Sequence, residues 1–189
     1  MLTALILITY MHSQEEFPVI SVHETPGYIR DGSVPNCIRG PYLQMGNPHS
    51  IIIRWRTDIE TGSRLRYGID STSFDQRVDS LSITTEHEVT LTGLVPNTKY
   101  YYSVETMMEV LSSDPDHYFV TAPPIGTKKK SRIWILGDSG TANDNAASVR
   151  DAYYNLSADI HTDLWIMLGD NAYNNGTDSE YQSAVFNMY

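Results

Sequence analysis

The chain has 189 residues, enough for one medium domain or two small ones, and its 41% hydrophobic and 19% charged residues suit a globular protein rather than a disordered one. Thirteen Lys and Arg against 23 Asp and Glu leave a formal net charge of −10, which excludes a nucleic-acid binder built on a cationic face. An acidic protein that acts on an anion needs positive charge from another source, such as a bound metal.

The N-terminus, MLTALILITYMHSQEE, has an apolar core at residues 2–11 and then turns polar. It is too short to span a bilayer. The pattern predicts a secretory signal peptide over residues 1–13, although no Lys or Arg precedes the core and no clean Ala-x-Ala follows it. A buried N-terminal strand is the alternative. An arm over residues 14–38 leads into the first domain. Cys37 is the only cysteine, so no internal disulfide can form and the fold rests on its core. Cys37 itself reads as a small buried hydrophobe. Two tripeptides, Asn155-Leu156-Ser157 and Asn175-Gly176-Thr177, match the glycosylation acceptor pattern. Such matches are common by chance and carry no weight here.

Residues 39–122 have a β pattern. SIIIRWRTD (50–58) mixes β-branched residues with alternating Arg and Trp, as a half-buried strand does. SRLRYG (63–68), EHEVTLTGL (86–94), KYYYSVE (99–105) and DHYFVTAP (116–123) continue the series, with a turn at Pro96-Asn97. Short strands with regular breaks and no helical period predict a β-sandwich. RWRTD and LTGLVPNTKYYYSV resemble a fibronectin type III module. That resemblance implies a tyrosine corner in the Leu-x-Pro-x-Thr-x-Tyr run, a core role for Trp55, and burial of Leu94 and the tyrosines 100–102. A carbohydrate-binding role for those tyrosines is the alternative. This unit is expected to fold by itself.

Residues 123–131 read as a linker, with prolines, a glycine and the solvated run Lys128-Lys129-Lys130. From residue 132 the pattern changes to α/β. IWIL (133–136) is a continuous apolar run, the mark of a strand buried on both faces. Residues 144–158 place Val149, Ala152, Tyr153 and Leu156 at helical spacing, with Asn143 or Asp144 as the cap. LWIML (164–168) is a second buried strand, so residues 132–189 begin as a parallel βαβ unit. Another helix is expected from about residue 180. With few covering elements in view, both apolar runs are expected to be partly exposed.

Each apolar run ends in Gly-Asp. Asp138 and Asp170 lie one βαβ repeat apart, so both fall at carboxyl ends of parallel strands, where open α/β sheets place ligands. Two carboxylates there repel unless a cation sits between them or one takes a proton. Gly137 and Gly169 are expected to let the backbone turn as it leaves each strand. Tyr173, three residues beyond Asp170, can swing to the same point. Two carboxylates and a phenolate make a hard oxygen donor set, and a tyrosinate ligand points to ferric iron. The loop after residue 136 lacks both the Gly-x-Gly-x-x-Gly spacing and the P-loop lysine, which weakens a nucleotide-binding reading.

These two motifs resemble those of the purple acid phosphatases, a branch of the calcineurin-like metallophosphoesterases. Gly137-Asp138-Ser139-Gly140 matches the family's Gly-Asp-x-Gly, and Gly169-Asp170-Asn171-Ala172-Tyr173 matches Gly-Asp-x-x-Tyr. The resemblance implies a phosphoric monoester hydrolase with a dinuclear centre that activates water. Asp138 and Tyr173 would bind Fe(III), and Asp170 would bridge to a second divalent ion, Zn, Mn or Fe. A fibronectin-like domain ahead of the phosphatase domain fits larger family members. The implied substrate is a small-molecule or protein phosphate monoester, and the implied location secreted or periplasmic.

The family's Gly-Asn-His and Gly-His-x-His motifs are absent. None of the six histidines, His12, His23, His49, His87, His117 and His161, stands in those contexts. The phosphatase domain is therefore expected to be incomplete and the chain inactive by itself, with no catalytic residue of its own beyond the metal ligands. A secreted fibronectin-like adhesion or binding module with a non-catalytic remnant is the reading from a different class.

Overall fold

The computed structural model describes residues 33–158 and 160–189. The expected signal peptide over residues 1–13, most of the arm, and His12 and His23 lie outside the described residues. Six strands, all paired antiparallel, form the first unit: β1 (Cys37–Gln44), β2 (Ile51–Gly68), β3 (Gln76–Leu91), β4 (Lys99–Glu105), β5 (Val110–Ser112) and β6 (Tyr118–Val120). β2 alternates buried Ile51, Ile53, Trp55 and Thr57 with the outward Arg54 and Arg56, which is period-two patterning over one core.

The two segments read as separate strands, residues 50–58 and 63–68, are halves of this one bent strand. β1 pairs with its first half, β4 with its second half, and β3 with both. Register shifts between Arg56 and Ser63 bend it without ending it, so no turn residue marks the place. β3 also starts ten residues before the expected strand. Its early part places Leu81 and Ile83 on the exposed side, which hides the alternation. Strands β1 and β5 had no clear sequence signal.

The core gathers Ile51, Ile53, Trp55, Leu65, Val89, Leu91, Leu94, Tyr100, Tyr102, Val104 and Phe119. Trp55 is 1% exposed, and its ring stacks on His87 at 4.9 Å and 8°. The expected tyrosine corner is present: the Val95 amide donates to the Tyr100 hydroxyl at 3.1 Å. Tyr100 and Tyr102 are buried, whereas Tyr101 is half-buried on the other face against Tyr118. Cys37 is half-buried, with its thiol donating weakly to the Arg39 carbonyl at 3.5 Å.

In the second unit β7 (Ile133–Leu136) and β8 (Leu164–Met167) pair in parallel, joined through helix α1 (Asp144–Ser157). Asn143 caps α1, its side chain accepting from the amides of Asn145 and Ala146. The apolar runs are partly exposed, as the few covering elements led one to expect, and not buried on both faces: Trp134 stacks on Tyr153 of α1 at 4.1 Å and 2°, while Ile133 and Ile135 point outward, 48% and 56% exposed. The helix needs correction, because of its expected face only Tyr153 is seated. Ala146 and Ser157 are buried and Tyr153 half-buried, but Val149 and Ala152 are exposed and Leu156 is 80% exposed. The stack onto Trp134 sets the helix rotation, and the apolar residues a turn away face outward.

A short helix α2 (Asp178–Tyr181) and a π-helical turn (Gln182–Phe186) then meet the sandwich. Asp178 accepts from Arg39 at 2.9 Å and from Arg56 at 2.6 and 2.9 Å. Gln182 accepts from Arg39 at 2.5 Å, Phe186 lies 5.0 Å from Tyr42, and the Arg39 guanidinium sits 4.4 Å over the Phe186 ring. No described helix is long and apolar enough to cross a membrane.

Candidate metal centre

Parallel pairing of β7 with β8 aligns Trp134 with Trp165 and Leu136 with Met167, so both chains leave the sheet side by side. The ladder runs on past the strands. Leu168 donates to the Leu136 carbonyl at 2.8 Å, Asp138 to Gly169 at 3.2 Å, Gly140 to Asp170 at 2.9 Å, and Tyr173 to Gly140 at 3.0 Å, each from its backbone amide. The two Gly-Asp loops are therefore stitched to each other by backbone hydrogen bonds.

Both aspartates adopt the same left-handed conformation, with φ of 54° at Asp138 and 52° at Asp170. Asp tolerates this region better than most residues. The expectation for the glycines needs adjustment. Gly169 has a positive φ of 114°, but Gly137 does not, and the reversal of its loop falls on Asp138 instead. Gly140, which the sequence marked only as the last residue of the first motif, has the tighter steric role. A Cβ there would lie 2.4 Å from the Ala172 nitrogen and 2.6 Å from the Asp170 carbonyl oxygen. Both obstacles are backbone, so the loops can approach this closely only with Gly140 in place.

The Tyr173 hydroxyl donates to Oδ1 of Asp138 at 2.5 Å. That bond is the main cause of a strongly raised phenol pKa, followed by burial and the nearby carboxylates of Asp170 and Asp138. The phenol is thus bonded to Asp138, with the Asp170 carboxylate near enough to add to the shift. In this setting the phenol keeps its proton because a phenolate would face two carboxylates. A cation among the three oxygens reverses that preference, stabilising all of them as anions.

The donor set fits a hard cation. It offers three anionic or ionisable oxygens from two neighbouring strand ends, as hard cations require. Beside them, the buried side-chain oxygens of Ser139 and Asn171 have no hydrogen-bond partner. Neither residue was singled out in the sequence, and only their places inside the two motifs could have marked them.

The described histidines are committed elsewhere. His87 lies in the sandwich between Thr57 and Ser63, each at 2.8 Å. His49 contacts the Leu94 carbonyl, His117 packs on Tyr102, and His161 packs on Tyr118. Among the described residues no group of three or more His, Cys, Asp or Glu gathers at one point.

Two residues near the site were also missed. Glu180 accepts from the amides of Asn174, Asn175 and Thr177, and Asp178 joins the two arginines of the sandwich. The Thr177-x-x-Glu180 spacing of a capping box was a usable signal for Glu180. Asp178 had none, since its partners lie more than a hundred residues upstream.

Residues 38–121 match the family described as purple acid phosphatase, N-terminal domain. No match was found among curated protein sequences. Among solved structures, PhoD superposes with a TM-score of 0.57 at 16% identity, covering 80% of this chain, which is more than the sandwich alone. The chain spans 30% of that PhoD chain, and the likeness is one of fold. The sixth fibronectin type III domain of human fibronectin type III domain containing protein 3 aligns at 21% identity, covering 52% of this chain and 95% of that domain, with a TM-score of 0.37. Residues 38–121 thus resemble the N-terminal domain of the purple acid phosphatase family, and a parallel βαβ unit follows them.

Proposed function

We propose that Asp138, Asp170 and Tyr173 are the iron-side half of a dinuclear centre, and that the activity served is hydrolysis of phosphoric monoesters of the purple acid phosphatase type. The observation that carries this reading is the 2.5 Å contact of Tyr173 with Asp138 across two neighbouring strand ends. The family match over residues 38–121 supports it independently, since it concerns a different part of the chain.

In this reading Asp138 and Tyr173 would hold Fe(III), and Asp170 would be shared with a second divalent ion, Zn, Mn or Fe. Bound ions would supply Lewis-acid stabilisation of charge developing on phosphoryl oxygens. The chain's own contribution is positional. The stitched loops hold both Gly-Asp turns at one edge, Gly140 permits their approach, and Tyr173, whose hydroxyl donates to Asp138 Oδ1, would have to lose that proton to act as a ligand. The substrate is a small-molecule or protein-borne phosphate monoester. Secretion or a periplasmic location follows from the apolar leader at residues 2–11.

No described histidine reaches this edge, so these 189 residues are expected to hold one ferric ion and to lack turnover. The test is metal analysis of the chain after exposure to iron and zinc, with a parallel p-nitrophenyl phosphate assay. Retention of iron, its loss in Asp138→Asn and the absence of turnover would support the half-site. Two retained ions with turnover would overturn it, and failure to retain any iron would overturn the metal centre itself.

A further inference from the structure

Tyr173 lies in a segment between β8 and α2 with no regular structure of its own. Upstream it is tied by its amide to Gly140. Downstream, a single side chain gathers the loop. Oε1 of Glu180 accepts from the Asn174 amide at 2.7 Å, and Oε2 accepts from the amides of Thr177 at 2.8 Å and Asn175 at 3.2 Å. Oε2 also accepts from the Thr177 hydroxyl at 2.9 Å, and the Glu180 amide donates back to that hydroxyl oxygen. A helix cap accounts for the Thr177 contacts alone. The bonds to Asn174 and Asn175 lie outside the helix and reach back to the residue next to Tyr173.

The anchor of Glu180 is itself fixed. In the same short helix, Asp178 is clasped by Arg39 of β1 and Arg56 of β2, and Gln182 in the next turn accepts from Arg39. Arg39 is only 8% exposed, so this clasp is rooted in the sandwich rather than on a mobile surface side chain. Fixed contacts therefore run from the sandwich through α2 to the phenol.

We propose that Glu180 is a positioning residue for Tyr173: by holding amides 174, 175 and 177 on one carboxylate, it keeps the phenol oxygen at Asp138. The role in metal binding rests on the half-site reading above, whereas the effect on Tyr173 exists in the metal-free chain. A carboxylate accepting several amides gives charge-assisted bonds that are strong for their exposure. A glutamine keeps the shape but offers one acceptor oxygen, and an alanine offers none.

The test uses the 189-residue chain with Glu180→Ala and Glu180→Gln. Metal-free, the readouts are amide hydrogen exchange at 174, 175 and 177 and the ring signals of Tyr173 by NMR, with the Trp134 ring as the control for fold. Loaded with iron, the readout is the visible phenolate-to-iron band. Glu180→Ala is expected to raise exchange about tenfold or more and to move the Tyr173 signals to those of a free tyrosine, with Trp134 unchanged. Glu180→Gln is expected to fall between. Should the alanine variant disturb Trp134, the glutamine variant decides by the same Tyr173 signals. Fast-exchanging amides with Tyr173 still at Asp138 would reduce Glu180 to a helix cap and overturn the proposal. So would an iron band unchanged in Glu180→Ala, which would leave the metal reading intact. A wild-type chain that binds no iron, but whose Tyr173 signals move in Glu180→Ala, would sink the metal reading and leave the positioning role standing.

Discussion

Tyr173 and Asp138 are 35 residues apart in the chain and joined by a 2.5 Å hydrogen bond in the fold. The parallel register of β7 and β8 makes this possible. It brings the two Gly-Asp turns into one backbone ladder, and the phenol spans the remaining gap.

Gly140→Ala should separate the two loops. The added Cβ would fall within 2.6 Å of three backbone atoms of residues 170–172, none of which can rotate away. The expected outcome is loss of iron retention and of the Tyr173–Asp138 contact, with the sandwich unaffected. Iron affinity and Tyr173 NMR signals measure both. Wild-type iron affinity in this variant would show that the loops need not be so close.

His87 should make the sandwich acid-sensitive. Thr57 already donates its hydroxyl proton to the Ile59 carbonyl, so its oxygen accepts from Nε2 of His87, and Ser63 donates to Nδ1. Burial lowers the His87 pKa to about 4 from 6.5, which keeps the ring neutral. Between those values the unfolded chain takes up a proton that the folded chain refuses. Stability is therefore full above pH 6.5 and falls as pH drops toward 4, by up to about 3 kcal/mol. Urea unfolding at pH 7 and pH 4.5 should show this fall in the wild type and a smaller one in His87→Gln. Equal falls in both would contradict the assignment.

The clasp at Asp178 should titrate in the opposite sense from a raised group. Hydrogen bonding to Arg56 first, and then Arg39, holds its carboxyl well below the ordinary 3.8. Its contribution is present above 3.8 and is lost as pH falls through the lower folded value. Asp178→Asn should therefore loosen residues 178–186 from the sandwich at pH 7, while wild type and variant should converge at strongly acid pH. Limited proteolysis across the pH range measures this. No difference between wild type and variant at pH 7 would mean that packing of Phe186 on Tyr42, rather than charge, holds the contact.

Both strand-end aspartates and Tyr173 were legible because their motifs are local: an apolar run, a Gly-Asp stop, and a fixed offset to the tyrosine. Trp55 and the Tyr100 corner were legible for the same reason. The bend within β2 was not, because register shifts between Arg56 and Ser63 leave no Gly-Pro signature of a turn. The seated face of α1 was hidden as well. Val149 and Leu156 are more apolar than Ala146 and Ser157, yet the Trp134–Tyr153 stack decides the rotation. Arg39 and Arg56 gave no hint of Asp178, since a salt bridge across such a separation depends on the docking of whole units.

The most direct test of the central claim is the visible spectrum of the 189-residue chain loaded with ferric iron, beside Tyr173→Phe. Tyrosinate bound to Fe(III) should give a charge-transfer band in the wild type, and Tyr173→Phe should abolish it while Asp138 and Asp170 still retain some iron. A band that survives unchanged in Tyr173→Phe, or iron held by the wild type with no such band, would contradict the assignment of Tyr173 as a metal ligand.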